Sequence, residues 1–285
     1  MLANFPQMTH LLSVQLQLSL RWLRYAWRAR TIYDIHSPFV ADLVQTVVED
    51  ERHFYAFSEV EALREQLLQS QTLLEMGEHG AGSKVNPRPS RTIADLARYS
   101  AVPPEVGRQL FRLAHFCKPQ TMIELGTSLG ISTLYLASGA LYAQVHTLEG
   151  SPAVAAKARQ HFQILKRTNI QLYEGAFATT LPQILQNLTK LDFLFLDGDH
   201  REGASWAYFE QCLARTHEGS VFVIADIHWS AAMQRAWRRM QAHPRVTLSV
   251  DLFHLGLLFF RTENAQKKHF TIIHKRYKPW RLGIF

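Results

Sequence analysis

Two acids and a histidine stand where alternating strands and helices would bring them together. Leu191 to Leu196 is an apolar run that ends in Asp197-Gly198-Asp199-His200, and Ser220 to Ala225 is another that ends in Asp226. Carboxylates at the ends of neighbouring strands can offer oxygens to one hard cation, Mg²⁺ or another divalent ion. His200, on the turn into the next helix, is a natural base near neutral pH. The plainer reading has Asp197 contacting a ligand, Asp226 capping the helix that starts near Ser230, and His200 only orienting a substrate. Asp199 reads as a hydrogen-bonding partner of His200. His228 and Trp229 read as lining of an acceptor pocket, or as packing under a lid.

A second cluster lies upstream. Met122-Ile123-Glu124-Leu125 is a short apolar run ending at Gly126-Thr127-Ser128-Leu129-Gly130, and a helix-like stretch follows from Ile131 to Ala137. Small residues there let a ligand sit against the main chain, and a helix N-terminus offers free N–H groups. Gln144 to Glu149 is another strand ending in an acid, 23 residues after Gly126. A doubly wound fold places a ribose-binding carboxylate at about that spacing. Gly-x-Gly-x-x-Gly is absent, which argues against a dinucleotide enzyme.

These residues need a scaffold, and the pattern around them supplies one. Strands at Ile170–Tyr173, Leu191–Leu196 and Ser220–Ala225 follow the first two, with helices at 152–167, 179–188 and 203–215 between them. Ser151-Pro152 supplies an N-cap and a first-turn proline. Strand–helix alternation predicts an α/β doubly wound sheet with helices on both faces. Val246–Asp251 and Leu255–Arg261 complete seven strands, the last antiparallel. Ligands bind at the carboxyl ends of strands in such sheets, where the polar residues gather.

The set resembles the class I S-adenosylmethionine-dependent methyltransferases over roughly 104–262. Glu124 to Gly130 looks like their first motif, so the resemblance implies that Glu124, Gly126, Thr127, Ser128, Gly130 and Ser132 cradle the amino-acid part of the cofactor. It implies Glu149 on the ribose, Ala176 and Phe177 (in Gly175-Ala176-Phe177) at the adenine, and Asp197 beside the cofactor. The 197–200 and 225–227 segments are most similar to the metal-dependent catechol and caffeoyl-CoA O-methyltransferases and to related sugar O-methyltransferases. There His200 falls where the catechol type has a catalytic lysine and the sugar type a histidine. The catechol type ends its fifth strand Asp-Asn, both serving the metal. Here Ile227 follows Asp226 and cannot ligate; His228 is nearby. The whole chain, with Tyr33-Asp34-Ile35-His36-Ser37-Pro38-Phe39, also resembles a bacterial methyltransferase group whose substrate the resemblance does not supply. Tyr33 and His36 could close over the site or fix the helix start at Ser37.

The implied activity is methyl transfer to a small-molecule hydroxyl. An RNA nucleoside methyltransferase and a non-catalytic cofactor-binding scaffold are the alternatives. RNA is raised by charge: residues 1–33 hold four Arg and no acid, 261–285 hold seven Lys/Arg and one Glu, and 34–260 sum to −3 of the net +7. Basic ends can hold RNA or an anionic surface, or be solvated helix faces, which is the preferred reading. At 285 residues the chain accommodates a helical lid and linker (1–90) and a cofactor domain (91–285). The 47% hydrophobic content is that of a soluble globular protein. There is no 18-residue apolar run and no secretory signal pattern, and Cys117 and Cys212 have no metal-like partners, so a cytoplasmic protein is expected, with a homodimer as one state open to it.

In the first 90 residues, Gln17, Arg21, Arg24 and Arg28 recur at helical spacing with Leu20, Leu23 and Trp27 on another side, so an amphipathic helix is the better reading, although 13–20 alternates like a strand. Ser37-Pro38 opens a helix burying Val40, Leu43, Val44 and Val47. Ser58 and Glu61 suggest a capping box for a helix over 59–75. Gly77 to Ser90 reads as a loop, its Gly80-Ala81-Gly82-Ser83 as linker and not as a phosphate loop.

Overall fold

The computed structural model describes residues 5–76, 90–263 and 266–280, with side chains of the first helix described from residue 15. The Gly80–Ser83 segment and nearly all of the expected linker lie outside the described residues. The chain begins with α1 (Phe5–Arg28), α2 (Pro38–Leu43), which widens into a π turn over Val44–Val48, and α3 (Tyr55–Leu68). A small hairpin, β1 (Leu73–Glu75) and β2 (Ser90–Thr92), then leads into α4 (Ile93–Tyr99) and α5 (Pro104–Cys117). The alternating part comprises β3 (Thr121–Leu125), α6 (Ile131–Gly139), β4 (Gln144–Glu149), α7 (Pro152–Ile164), β5 (Ile170–Glu174), α8 (Phe177–Gln186), β6 (Phe193–Leu196), α9 (Glu202–Leu213), β7 (Val221–Ala225) and α10 (Ala231–Ala242). It closes with β8 (Leu248–Asp251), β9 (Leu255–Phe259) and β10 (Lys268–Thr271).

The sheet order is β10-β8-β9-β7-β6-β3-β4-β5. The five strands β3 to β7 run parallel, and β9 is antiparallel to both β7 and β8. All seven expected strands are present. An eighth, β10, extends the edge parallel to β8. Its Lys268-His269-Phe270-Thr271 sequence is short and largely polar, so it carries no apolar alternation to mark it. Because β3 lies between β4 and β6, the strand order reverses beside it, and the crevice above β3 and β6 is where a doubly wound sheet takes its ligand.

Alternate side chains explain the two layers. Met122, Phe193, Phe195, Val221 and Val223 face α5 and α6, where Val40, Leu43, Val47 and Phe57 join the same buried cluster. Ile123, Leu125, Leu194, Leu196, Phe222 and Ile224 face Leu181, Phe209 and Trp237 of α8, α9 and α10. Strands covered on both sides become continuous apolar runs, as in β6 and β7. The N-terminal helices are thus built into the core, tied further by Arg108 to Glu61 (2.7 Å) and Arg167 to Glu59 (2.6 Å).

Three N-terminal details differ from the sequence reading. α3 starts at Tyr55, not after Ser58, because Phe54 and Phe57 pack on Phe111 at centroid distances of 4.8 and 5.0 Å and set the entry. Ser58 bonds His53 instead of capping, and the helix stops at Leu68, leaving 73–75 to the hairpin. The Leu20, Leu23 and Trp27 side of α1 is exposed; Tyr25 and Ala29 are the buried side, packed with Phe253 and Ile273.

Candidate active site

The turn after β3 is shaped by backbone requirements. Gly126 (φ 105°), Ser128 (φ 49°) and Gly130 (φ 81°) all lie in the left-handed region. A Cβ on Gly126 would sit 2.6 Å from the Asp197 carbonyl oxygen, so only glycine lets the β3 and β6 ends meet. Glu149, at the end of β4, accepts the Ser128 N–H (2.8 Å) and the Ser151 N–H (2.9 Å). Burial raises its pKa, and the amide bonds oppose that rise. Carboxylate lone pairs still remain for a hydroxyl donor.

Glu124 is fully buried, and burial pushes its carboxyl up to about 7, although hydroxyls from Ser132, Thr133 and Thr147 act the other way. Thr133 and Thr147 both donate to Oε2 (2.5 and 2.6 Å), and Oε1 has no partner. A buried acid with one unpartnered oxygen is complementary to a ligand cation. Thr127 is turned inward: its hydroxyl meets that of Thr147 at 2.6 Å and its N–H goes to Leu148 O. Gly175 (φ 127°) precedes Ala176 and Phe177, and the Phe177 ring lies over Gly198, with Tyr208 edge-on at 5.9 Å.

The ends of β6 and β7 bring Asp197, His200 and Asp226 together. Their ligand atoms lie within 4.8 Å of one another, the one such His/Cys/Asp/Glu group among the described residues. His200 Nε2 stands 3.9 Å from Asp197 Oδ1 and 4.0 Å from Asp226 Oδ2, too far for hydrogen bonds and nearly equidistant. Burial pushes the Asp197 carboxyl well above its ordinary value, and the charges of Asp226 and Glu124 add to that rise. Asp226 adopts φ 56° and Asp199 φ 53°, so both turns hold side chains at strained positions.

Two local expectations are corrected. Asp199 does not partner His200; its carboxylate takes bonds of 2.5 Å from Arg201 Nε and Nη2, and His200 Nδ1 is buried without a partner. His228 does not replace the missing amide ligand, because its Nε2 donates to Asp251 at 2.8 Å. Ile227 is fully buried in the core on the α10 side, so the chain uses that position for packing.

Residues remote in sequence hold this corner. Arg21 Nη1 donates to the carbonyls of His228 (2.9 Å) and Trp229 (2.7 Å). His228 stacks on Phe253 at 5.1 Å, and Tyr25 lies against both. A cavity of about 130 Å³ opens beside them, lined by Trp22, Tyr25, Glu105, Gln109, Phe253 and His254 among others. It adjoins the Asp197–His200–Asp226 cluster through His254, whose carbonyl accepts the Asp226 N–H at 2.7 Å. His228 stands behind Phe253 and Trp229 is exposed, so the cavity wall is made by residues the sequence reading did not select. No local motif marks them; they meet across more than 200 residues of chain. Tyr33 and His36 are exposed, and the Thr31–Asp34 bonds, 3.0 and 3.1 Å, shape the segment before α2.

The arrangement is that of a class I methyltransferase fold, with a ligand crevice at the β3/β6 reversal. Residues 123–227 match the family described as "Methyltransferase domain". Over 130 residues the chain is 28% identical to a catechol O-methyltransferase of Niastella koreensis, covering 45% of this chain and 58% of that protein. Over 136 residues it is 30% identical to a catechol O-methyltransferase of Mycobacterium tuberculosis, covering 47% and 60%. The chain therefore spans about three-fifths of the length of these curated relatives. The O-methyltransferase of Bacillus cereus, solved in complex with SAH, superposes with a TM-score of 0.52 at 21% identity, over 78% of this chain and 97% of that one. Residues 123–227 thus carry a methyltransferase domain, and over that part the chain is similar to O-methyltransferases of the catechol type.

Proposed function

We propose that this protein transfers the methyl group of S-adenosylmethionine to a hydroxyl of a small-molecule acceptor, assisted by a divalent cation. The observation that carries this reading is the convergence of Asp197, His200 and Asp226 beside the Gly126 turn. The residues suit both groups. The unpartnered Glu124 oxygen fits the ammonium of the methionine part, and Glu149 keeps lone pairs for the ribose. The carboxylates of Asp197 and Asp226 make a hard oxygen donor pair for Mg²⁺ or Mn²⁺. When bound, the cofactor supplies an electrophilic methyl, and the cation a positive charge that lowers the acceptor's pKa.

This chain's residues then have distinct tasks. Asp197 and Asp226 would hold the cation. His200 Nε2 takes the acceptor proton. The cavity behind Asp226, walled by Tyr25, Phe253 and His254, receives the acceptor body and keeps water from the methyl path. The test is turnover of His200→Ala with the affinity for S-adenosylhomocysteine measured alongside. Loss of a base costs on the order of 10²–10⁴-fold in rate. The expected result is that loss with unchanged cofactor affinity; full activity of His200→Ala on a turned-over hydroxyl acceptor would sink the base assignment.

A second reading of His200 has an observation of its own, the near-equal spacing of Nε2 from both carboxylates. In it, His200 completes the ligand set that Ile227 cannot. Mn²⁺ titration separates the two: His200→Ala loses metal affinity in the second reading and keeps it in the first. Chelator abolishes wild-type turnover in both, and activity that survives chelation removes the cation from the proposal.

A further inference from the structure

The exposed side of α1 is the least expected surface of the molecule. Leu16, Leu20, Leu23 and Trp27 are 62, 46, 57 and 86% exposed. Successive helical residues turn by about 100°, so these four form one stripe roughly 17 Å long. Monomeric surfaces seldom carry a continuous apolar stripe of this kind without an occupant. The opposite side is already used: Tyr25 and Ala29 pack on Phe253 and Ile273, and Arg21 is committed to the 228–229 carbonyls. The stripe is therefore left over after the helix has done its structural work. Arg24 and Arg28 border one side of it, Arg30 follows it, and all three are exposed. Lys278 bonds the carbonyls of Trp27 and Ala29, which brings the exposed Trp280 to the same end of the helix.

We propose that α1 is an in-plane anchor for an anionic lipid surface, with Leu16, Leu20, Leu23 and Trp27 entering the interface and Arg24 and Arg28 meeting lipid phosphates. An apolar face bordered by arginines, with an aromatic residue at its end, is the composition that such helices share. The charge decides between occupants. Residues 1–33 contain four Arg and no acid. A second copy docked through the same stripe would set these arginines against their own counterparts, with no acid among residues 1–33 to offset them. An anionic bilayer is attracted by the same charges, by about fivefold in affinity for each arginine near the surface. No described helix is long and apolar enough to cross a membrane, so α1 would lie on the surface. The proposal does not depend on the reaction assigned above.

The experiment is sedimentation of the full chain with sucrose-loaded vesicles of phosphatidylcholine alone and of phosphatidylcholine with phosphatidylglycerol. Wild type is expected to bind the mixed vesicles, to bind less as salt rises, and to show a blue shift of tryptophan emission. Leu20→Glu/Leu23→Glu/Trp27→Glu should abolish binding, and Arg24→Gln/Arg28→Gln should weaken it about 25-fold. Both variants change only exposed side chains, and unaltered melting shows that they fold. Absence of wild-type binding to mixed vesicles overturns the proposal. So does light scattering that reveals a dimer dissociated by Trp27→Glu, which would make the stripe a self-interface. Salt-sensitive tRNA binding that needs the arginines but not Leu20, Leu23 and Trp27, without vesicle binding, overturns it in favour of RNA.

Discussion

Glu124→Gln isolates one buried carboxyl. In the folded chain burial holds this acid up to about 7, against 4.5 for the free side chain. The folded state thus keeps a proton that the unfolded state releases, and stability falls as pH rises between those values. Each pKa unit corresponds to about 1.4 kcal/mol, so the group removes about 3 kcal/mol between pH 4.5 and pH 7, with no further loss above. Glutamine keeps the side chain's shape and an oxygen for Thr133 and Thr147, and it does not titrate. Urea unfolding of both proteins from pH 4.5 to 8 gives the check. The wild type is expected to lose about 3 kcal/mol relative to the variant over that window. A stability difference that does not vary with pH would refute the reasoning. The same carboxyl should ionise when it meets a ligand ammonium, so wild-type binding of S-adenosylhomocysteine near pH 6.5 should release a proton, seen as a buffer-dependent enthalpy that Glu124→Gln lacks.

Three further substitutions test the neighbouring parts. Gly126→Ala puts a Cβ 2.6 Å from the Asp197 carbonyl and a side chain at φ 105°; the expected cost is roughly 3 kcal/mol, and an unchanged melting temperature and cofactor affinity would contradict it. Glu149→Ala strips the Ser128 and Ser151 amides of their acceptor and should weaken S-adenosylhomocysteine binding by about 1–3 kcal/mol in calorimetry. Arg21→Ala frees two carbonyls at 228–229; amide exchange over 226–230 should quicken while the sheet stays protected, and unaltered exchange there would show that α1 does not hold the loop.

The candidate cofactor residues could be picked out in the sequence because their signal is local. Glu124 to Gly130 and Glu149 sit at strand ends, and a strand end is where apolar patterning stops and small or acidic residues begin. Asp197, His200 and Asp226 were legible for the same reason, and they converge as read. Elsewhere local rules were outvoted. Ser58 and Glu61 have the spacing of a capping box, yet the aromatic packing of Phe54 and Phe57 on Phe111 starts α3 earlier. Asp199 adjoins His200 in sequence, but its left-handed backbone turns the carboxylate to Arg201.

By itself, then, the sequence determined the order of strands and helices, the switch point and the identity of the groups at the strand ends. Periodicity and turn chemistry act over a few residues, so a single chain displays them. Only the tertiary structure decided what surrounds those groups: that Arg21 and Tyr25 of α1 hold the loop after β7, that Asp251 engages His228, and that the Leu20–Leu23–Trp27 side of α1 faces outward. These depend on which of two faces a helix buries and on partners more than 200 residues away. The choice is made by the competition of all apolar surfaces for one core, which no local pattern records.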